Sequence, residues 1–326
     1  MTKLVTIFGG SGFVGRYIAQ RMAREGWRVR VAVRRPNEAH FVKPYGVVGQ
    51  VEPVLCNIRD DASVKSVTQG ADAVVNCVGT FDHKGKNNFD AVQNEGAARI
   101  ARIATAEGVS RLVHLSAIGA DIDGDSLYAQ SKGKGEAAVF EAFPSAVVLR
   151  PSVIFGPEDQ FFNRFAGMTR MSPFLPLVGA GTKFQPVYVD DVAAAAVKGV
   201  LGEAESGIYE LGGPDVHSFR ELMALMLETI QRRRLIIGLP FFVGSIMGHV
   251  TGVVSSLTGG LAPQPITVDQ VKSLRQDNVV PEGAKTFSDL GITPTAMEAV
   301  LPSYLWQFRP SGQYAEIKES ARNLRH

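Results

Sequence analysis

Tyr128 and Lys132 stand four residues apart in SLYAQSKGKGE, residues 126–136. At this spacing the two side chains share one face of a helix. There an ammonium stabilises a phenolate, so the pair reads as an acid/base unit in a nicotinamide site. The same spacing also describes one exposed helix face with no chemical task. A dinucleotide site elsewhere in the chain is what favours the first reading.

Such a site is encoded near the start. TIFGGSGFVGR carries Gly9, Gly12 and Gly15 at three-residue intervals, with Ser11, Phe13 and Val14 among them, between an apolar strand and a helical stretch. Small residues let the backbone approach a pyrophosphate, and the helix start offers free N–H groups to its oxygens. The alternative is a tight structural turn; strand before, helix after and a continuing βαβ pattern favour the dinucleotide. An acid at the end of the second strand would bind the ribose 2′-hydroxyl of NAD. VAVRRPNE has Arg34 and Arg35 there instead. Guanidinium groups suit a 2′-phosphate, which predicts NADP(H) over NAD(H), against the alternative of two solvent-facing arginines. Arg16 adds charge near the same phosphate. In CNIRDDASV, Asn57 and Ile58 are candidates to flank adenine, although Asn57 also fits a helix N-cap region, as do Asp60 and Asp61. NCVGT ends a strand at the carboxyl edge of the sheet, so Val78, Gly79 and Thr80 are expected to line the cofactor.

The elements that must position these residues are legible as alternation. LVTIF, RVRVAVR, ADAVVNCVG, RLVHLSA, SAVVLRPSVIFG and GIYELGG read as strands. Helical stretches beginning at VGRYIAQ, ASVKSV, NEGAARI, YAQSKGK and VDDVAAA separate them. This predicts an α/β fold: a doubly wound parallel Rossmann sheet with a smaller, mainly helical C-terminal domain. The expected division is residues 1–156 completed by 184–213 for the NADP-binding domain, 157–183 and 214–310 for the smaller domain, and 311–326 as a polar tail. Lys+Arg 34 against Asp+Glu 32 gives no argument for a nucleic-acid partner. The two cysteines, Cys56 and Cys77, suggest a reducing compartment without a disulfide framework, and the scattered histidines lack metal-ligand spacing. No export signal precedes the first strand.

The ordered pieces GGSGFVG, NCVG, RLVHLSA, YAQSK, LRPSVIFGP and VYVDDVAAA resemble the short-chain dehydrogenase/reductase superfamily in its extended or atypical branch. The resemblance implies that Tyr128 is the proton donor, that Lys132 holds the nicotinamide ribose and lowers the tyrosine pKa, and that a hydroxyl polarises a substrate carbonyl. Ser116 in HLSAIGAD offers that hydroxyl, but a common pattern of the superfamily places it one residue later, where this chain has Ala117. The resemblance also brings Pro151 and Val153 to the cofactor. Within this branch the chain is similar to the NADPH-binding accessory subunits of respiratory complex I, of the 39-kilodalton type. DNVVPEGAKTFSDLGITPTAMEAVLPSYLWQFRP, outside the generic fold, carries that likeness. It implies an NADP(H)-holding, non-catalytic subunit docked on other complex I subunits near the junction of quinone site and membrane. The location implied is peripheral, on the cytoplasmic face of a bacterial inner membrane or the matrix side of a mitochondrion. The competing reading is an NADP-dependent reductase, dehydratase or epimerase using Tyr128 and Lys132.

Two C-terminal stretches bear on partners. Residues 235–262 are uncharged apart from His249 and follow Arg232, Arg233 and Arg234. Three readings stand: a buried helix pair, a surface helix near lipid headgroups or a partner, and a membrane span. In VLPSYLWQF, Tyr304, Trp306 and Phe308 are of the kind that anchors interfaces, or else they close the second domain's own core. Residues 277–326 are accordingly the expected docking region.

Overall fold

The computed structural model describes residues 2–80, 85–257 and 267–314, with backbone alone for 252–257 and 313. The elements run β1 (Leu4–Phe8), α1 (Phe13–Arg24), β2 (Arg28–Val33), β3 (Val51–Leu55), α2 (Asp61–Thr68), β4 (Ala73–Asn76), α3 (Glu95–Ala106), β5 (Arg111–Leu115), α4 (Leu127–Ala142) and β6 (Val147–Pro151). Then come β7 (Ile154–Phe155), α5 (Phe162–Met171), β8 (Phe174–Val178), β9 (Lys183–Phe184), β10 (Val187–Tyr188), α6 (Val189–Leu201) and β11 (Gly207–Leu211). The chain continues with β12 (His217–Ser218), α7 (Phe219–Thr229), β13 (Leu235–Leu239), α8 (Phe241–Leu257), α9 (Val268–Ser273) and α10 (Met297–Leu305).

The chain forms two compact units, residues 1–152, 189–212 and 280–294 in the first and 153–188, 213–279 and 295–326 in the second. The first is built on a seven-stranded sheet in the order β11-β6-β5-β4-β1-β2-β3, with every pair parallel. Its interior strands read as near-continuous apolar runs because helices cover both faces. The order reverses beside β1, which pairs with β2 on one side and β4 on the other. A ligand crevice opens at such a switch point.

The boundaries differ from those expected in three places: the first unit ends at Ser152, so residues 153–156 already belong to the second. Residues 184–188 fall in the second unit, because Val187 and Tyr188 pair with Ile154 and Phe155 and not with the large sheet. Residues 280–294 return to the first unit, where the Glu210 amide donates to the Lys285 carbonyl. Strand β3, which the sequence does not announce, contains Pro53; it is an edge strand, where a missing N–H is tolerated. The run SAVVLRPSVIFG is two strands, β6 and β7, and not one.

The second unit has its own core of Phe155, Phe162, Leu175, Met223, Met226 and Leu301, joined by Tyr304 and Phe308. Trp306, between those two aromatics, is exposed. Buried Asp159 holds this unit together: its carboxylate accepts from the amides of Phe161 and Asn163 at 3.1 and 2.9 Å and from the Tyr304 hydroxyl at 2.6 Å. The apolar stretch 235–262 begins as a strand, β13, and continues as α8; residues 258–262 lie outside the described residues. Among the described residues, no helix is long and apolar enough to cross a membrane. Of the expected polar tail, 315–326 lies outside the described residues.

Candidate functional site

The glycine loop joins β1 to α1 in a conformation that two of its glycines enforce. Gly9 has φ +74°, the left-handed region, and a Cβ there would meet the Cys77 backbone at 3.2 Å. A Cβ on Gly15 would lie 2.4 Å from the Gly9 carbonyl oxygen and 2.7 Å from Gly10 Cα, so Gly15 lets α1 seat against the loop. A Cβ on Gly12 would meet only the Gly9 oxygen, at 3.1 Å. Gly12 starts α1 without a side-chain cap, and the first turn has no acid. The leading N–H groups of a twelve-residue helix are thus offered to an anion.

A cleft of about 280 Å³ opens beyond the carboxyl ends of the strands. The loop contributes Gly9, Ser11 and Gly12, and β2 contributes Arg34 just past its end. Asn57 and Ile58 follow β3, while Val78, Gly79 and Thr80 follow β4. Nine of the sequence-predicted residues are thereby brought together. Phe13, Val14 and Gly15 are outside the lining, in the first turn of α1. Arg35 is turned to solvent and pairs with Glu38 at 3.1 Å. Arg16 stacks on the Phe41 ring, 4.8 Å from its centroid, and donates to the carbonyls of Ser11 and Gly12. Asp60, not Asn57, caps α2 by accepting from the Ala62 amide. Pro151 ends β6 beside Leu211, and Val153 belongs to the second unit. The lining also includes Ala32, Val33, Cys56, Cys77, Asn87 and Val92, which the motifs did not single out. Cys56 and Cys77 each follow a strand immediately, and that position on the carboxyl edge was the available signal.

Helix α4 carries the Tyr–Lys pair close to the sheet. Its glycines seat it against the preceding loop and the Gln93 backbone: a Cβ on Gly133 would lie 2.5 Å from the Ile122 amide nitrogen, and one on Gly135 would clash with the Gln93 carbonyl at 2.1 Å. Ser126 caps the helix by accepting from the Ala129 amide. Lys132 is buried, and its Nζ donates to the Leu115 carbonyl at 3.2 Å. The same Nζ lies 3.9 Å from where a Cβ on Gly79 would be, which ties the lysine to the cleft lining. Burial lowers the Lys132 pKa to about 8, against the opposing influence of Glu136 and Cys77. Tyr128 packs edge-on against Phe89, centroids 5.9 Å apart. Its phenol is pushed up to about 12 by burial. Desolvation of the phenolate is the cause of this shift.

Beneath the pair lies a buried polar group that the motifs missed. The Val78 amide donates to Asn76 Oδ1 at 3.1 Å, which orients the amide so that Asn76 Nδ2 donates to His114 Nδ1, also at 3.1 Å. The ring proton of His114 is thereby placed on Nε2. Burial, followed by the charge of Lys132, lowers the His114 pKa to about 3. Neither His114 Nε2 nor the buried Ser116 hydroxyl has a hydrogen-bond partner among the described residues. A buried polar atom left unpaired is costly.

Fold and cleft together define a Rossmann protein for a nicotinamide dinucleotide. The chain belongs to the NAD dependent epimerase/dehydratase family, whose model matches residues 5–212, and within it to the complex I subunits of the 39-kilodalton type. It is 34% identical over 316 residues to the mitochondrial NADH dehydrogenase (ubiquinone) 1 alpha subcomplex subunit 9 of Arabidopsis thaliana, covering 95% of this chain and 79% of that one. It is 30% identical over 311 residues to the NADH-ubiquinone oxidoreductase 40 kDa subunit of Neurospora crassa, covering 95% and 80%. An NADPH-dependent quinone oxidoreductase of Escherichia coli, solved with NADPH, shares the fold with a TM-score of 0.70 at 17% identity over 92% of this chain and 98% of that one.

Proposed function

We propose that this protein is an accessory subunit of respiratory complex I that holds NADP(H) as a structural and docking element and does not turn it over. The observation that carries this reading is the extent of the likeness to complex I subunits. It runs over 95% of the chain, well past the 5–212 of the dinucleotide-binding family. In the cleft, the start of α1 at Gly12 receives the pyrophosphate and Arg34 the 2′-phosphate, while Asn57 and Ile58 flank adenine. Val78, Gly79 and Thr80 line the nicotinamide half, and Lys132 holds its ribose. The partners are other complex I subunits near the junction of quinone site and membrane. Of the aromatics in 277–314, Trp306 and Tyr314 are exposed and stand outside their unit's core. The placement is peripheral, on the cytoplasmic or matrix side.

A second reading, an NADP-dependent reductase, dehydratase or epimerase, draws on the orphaned Ser116 hydroxyl beside the Tyr128–Lys132 helix. The experiment is native purification from detergent-dispersed membranes, with in-gel NADH dehydrogenase activity and identification of the nucleotide released on denaturation. Co-migration with that activity and release of NADP(H) are expected. A chain that migrates alone and reduces carbonyl substrates in a Tyr128-dependent way would establish the second reading.

A further inference from the structure

The second unit presents an apolar surface that its own core does not use. Strands β8 and β13 pair in parallel, with Leu235 beside Phe174 and Ile237 beside Pro176. Leu175 and Leu177 point inward and are buried, while Phe174, Leu235 and Ile237 are exposed on the other face. A sheet with one wet face ordinarily turns polar residues outward. Helix α8 repeats the inversion. Its inner side is glycine: a Cβ on Gly244 would lie 2.7 Å from Val178 Cγ1, and one on Gly248 would lie 2.9 Å from the Val268 amide nitrogen. The opposite side carries Phe242, Ile246 and Val250, one stripe at four-residue intervals, exposed by 65%, 58% and 56%. Phe241–Leu257 contains no Asp, Glu, Lys or Arg. A helix that puts glycine inward and Phe, Ile and Val outward is shaped for an apolar medium on its outer side.

The segments that build this surface carry charge of one sign. Residues 160–189 and 229–268 contain no Asp or Glu, and they carry Arg164, Arg170, Lys183, Arg232, Arg233 and Arg234. Arg232 and Arg234 are fixed by donating to the carbonyls of Phe308 and Thr169, which holds the arginine run at the start of β13. Arg275 lies 5.7 Å from the centroid of the Phe241 ring at the start of α8. Apolar side chains fringed by arginines match an acyl boundary beneath anionic headgroups.

We propose that the outer face of β8 and β13 and the exposed stripe of α8 form one lipid-docking surface that seats this protein on an anionic bilayer. The two parts are continuous in the chain, because only Pro240 separates β13 from α8, and Gly244 packs on the last residue of β8. The surface goes beyond the subunit reading and does not depend on it: lipid binding survives if no complex I partner exists. The test is co-sedimentation of the full chain with vesicles of phosphatidylcholine alone or mixed with phosphatidylglycerol. Wild type should sediment with the mixed vesicles, and Ile246→Glu should weaken that binding at least about tenfold. Arg233→Gln should weaken it about fivefold and reduce its salt dependence. Val48→Glu, at an exposed apolar position of the first unit, should leave it unchanged. Melting temperature and nucleotide binding should be those of wild type in all three, which separates loss of docking from loss of fold. Wild type that ignores the mixed vesicles, or Ile246→Glu that sediments like wild type, overturns the proposal. So does Ile246→Glu that releases the chain from complex I while still binding vesicles, because the occupant is then a protein.

Discussion

His114 ties the stability of the first unit to pH. Its folded pKa is about 3 against 6.5 for the free side chain, because burial and Lys132 oppose a second positive charge. Between these values the unfolded chain binds the proton and the folded chain does not, so stability falls as pH falls through this window. The contribution lost between pH 7 and pH 5 is about 2 kcal/mol. His114→Gln keeps an acceptor for Asn76 and removes the titration. Urea unfolding at pH 5, 6 and 7 should therefore show a flatter pH dependence for the variant; equal slopes would exclude His114 as the source. Lys132 acts in a separate window. Its folded pKa of about 8 lies below the ordinary 10.5, so its contribution to stability rises with pH between those values. Such electrostatics were not legible in the sequence, since the residue types give the pair Tyr128 and Lys132 but not the burial that sets their pKa values. The two arginines make the same point. Sequence position gives Arg34 and Arg35 equal claims on the 2′-phosphate, but one lines the cleft and the other pairs with Glu38. Arg34→Ala should weaken NADPH about tenfold or more and NADH little, by loss of a charge-assisted hydrogen bond. Arg35→Ala should have a smaller effect on both, measured by fluorescence titration.

Helix α1 separates two jobs that a glycine motif merges. Gly15 is an element-packing residue: its missing Cβ lets the helix lie against the loop backbone. Gly12 is a cleft residue with an ordinary φ of −71°, and an added Cβ meets just one atom at 3.1 Å. Gly15→Ala should thus cost about 1–3 kcal/mol of stability by overpacking against backbone. Gly12→Ala should leave the melting temperature nearly unchanged and weaken nucleotide binding, because its methyl obstructs the pyrophosphate approach. Similar melting temperatures for the two variants would contradict this division. The strand–loop–helix context of the motif was legible from periodicity alone. Strand β3 was not, since Pro53 interrupts its pattern and an edge position makes that harmless. Nor was β13, because Leu235–Leu239 runs directly into the apolar α8, and periodicity alone does not divide a short apolar run into strand and helix.

For the whole molecule, the proposed function implies that fold and assembly depend on occupancy and not on proton transfer. A ligand that binds only the folded chain stabilises it by mass action, by about 2.7 kcal/mol at a hundredfold excess over its Kd. NADPH bound in the first unit then raises the population of chain competent to dock, whatever surface makes the contact. Tyr128→Phe removes a hydroxyl and keeps the ring against Phe89, so occupancy, abundance and complex I association should be nearly those of wild type. Gly12→Ala keeps the fold and weakens nucleotide binding, so the thermal shift on adding NADPH should shrink and association with complex I should fall with it. The measurement is the pair of readouts on each variant expressed in place of wild type: NADPH-induced thermal shift of the purified chain, and in-gel NADH dehydrogenase activity of the complex containing it. Loss of complex I association in Tyr128→Phe with an intact NADPH shift would tie assembly to the hydroxyl and favour a catalytic cycle. Full association of a Gly12→Ala protein with weakened nucleotide binding would separate the nucleotide from docking.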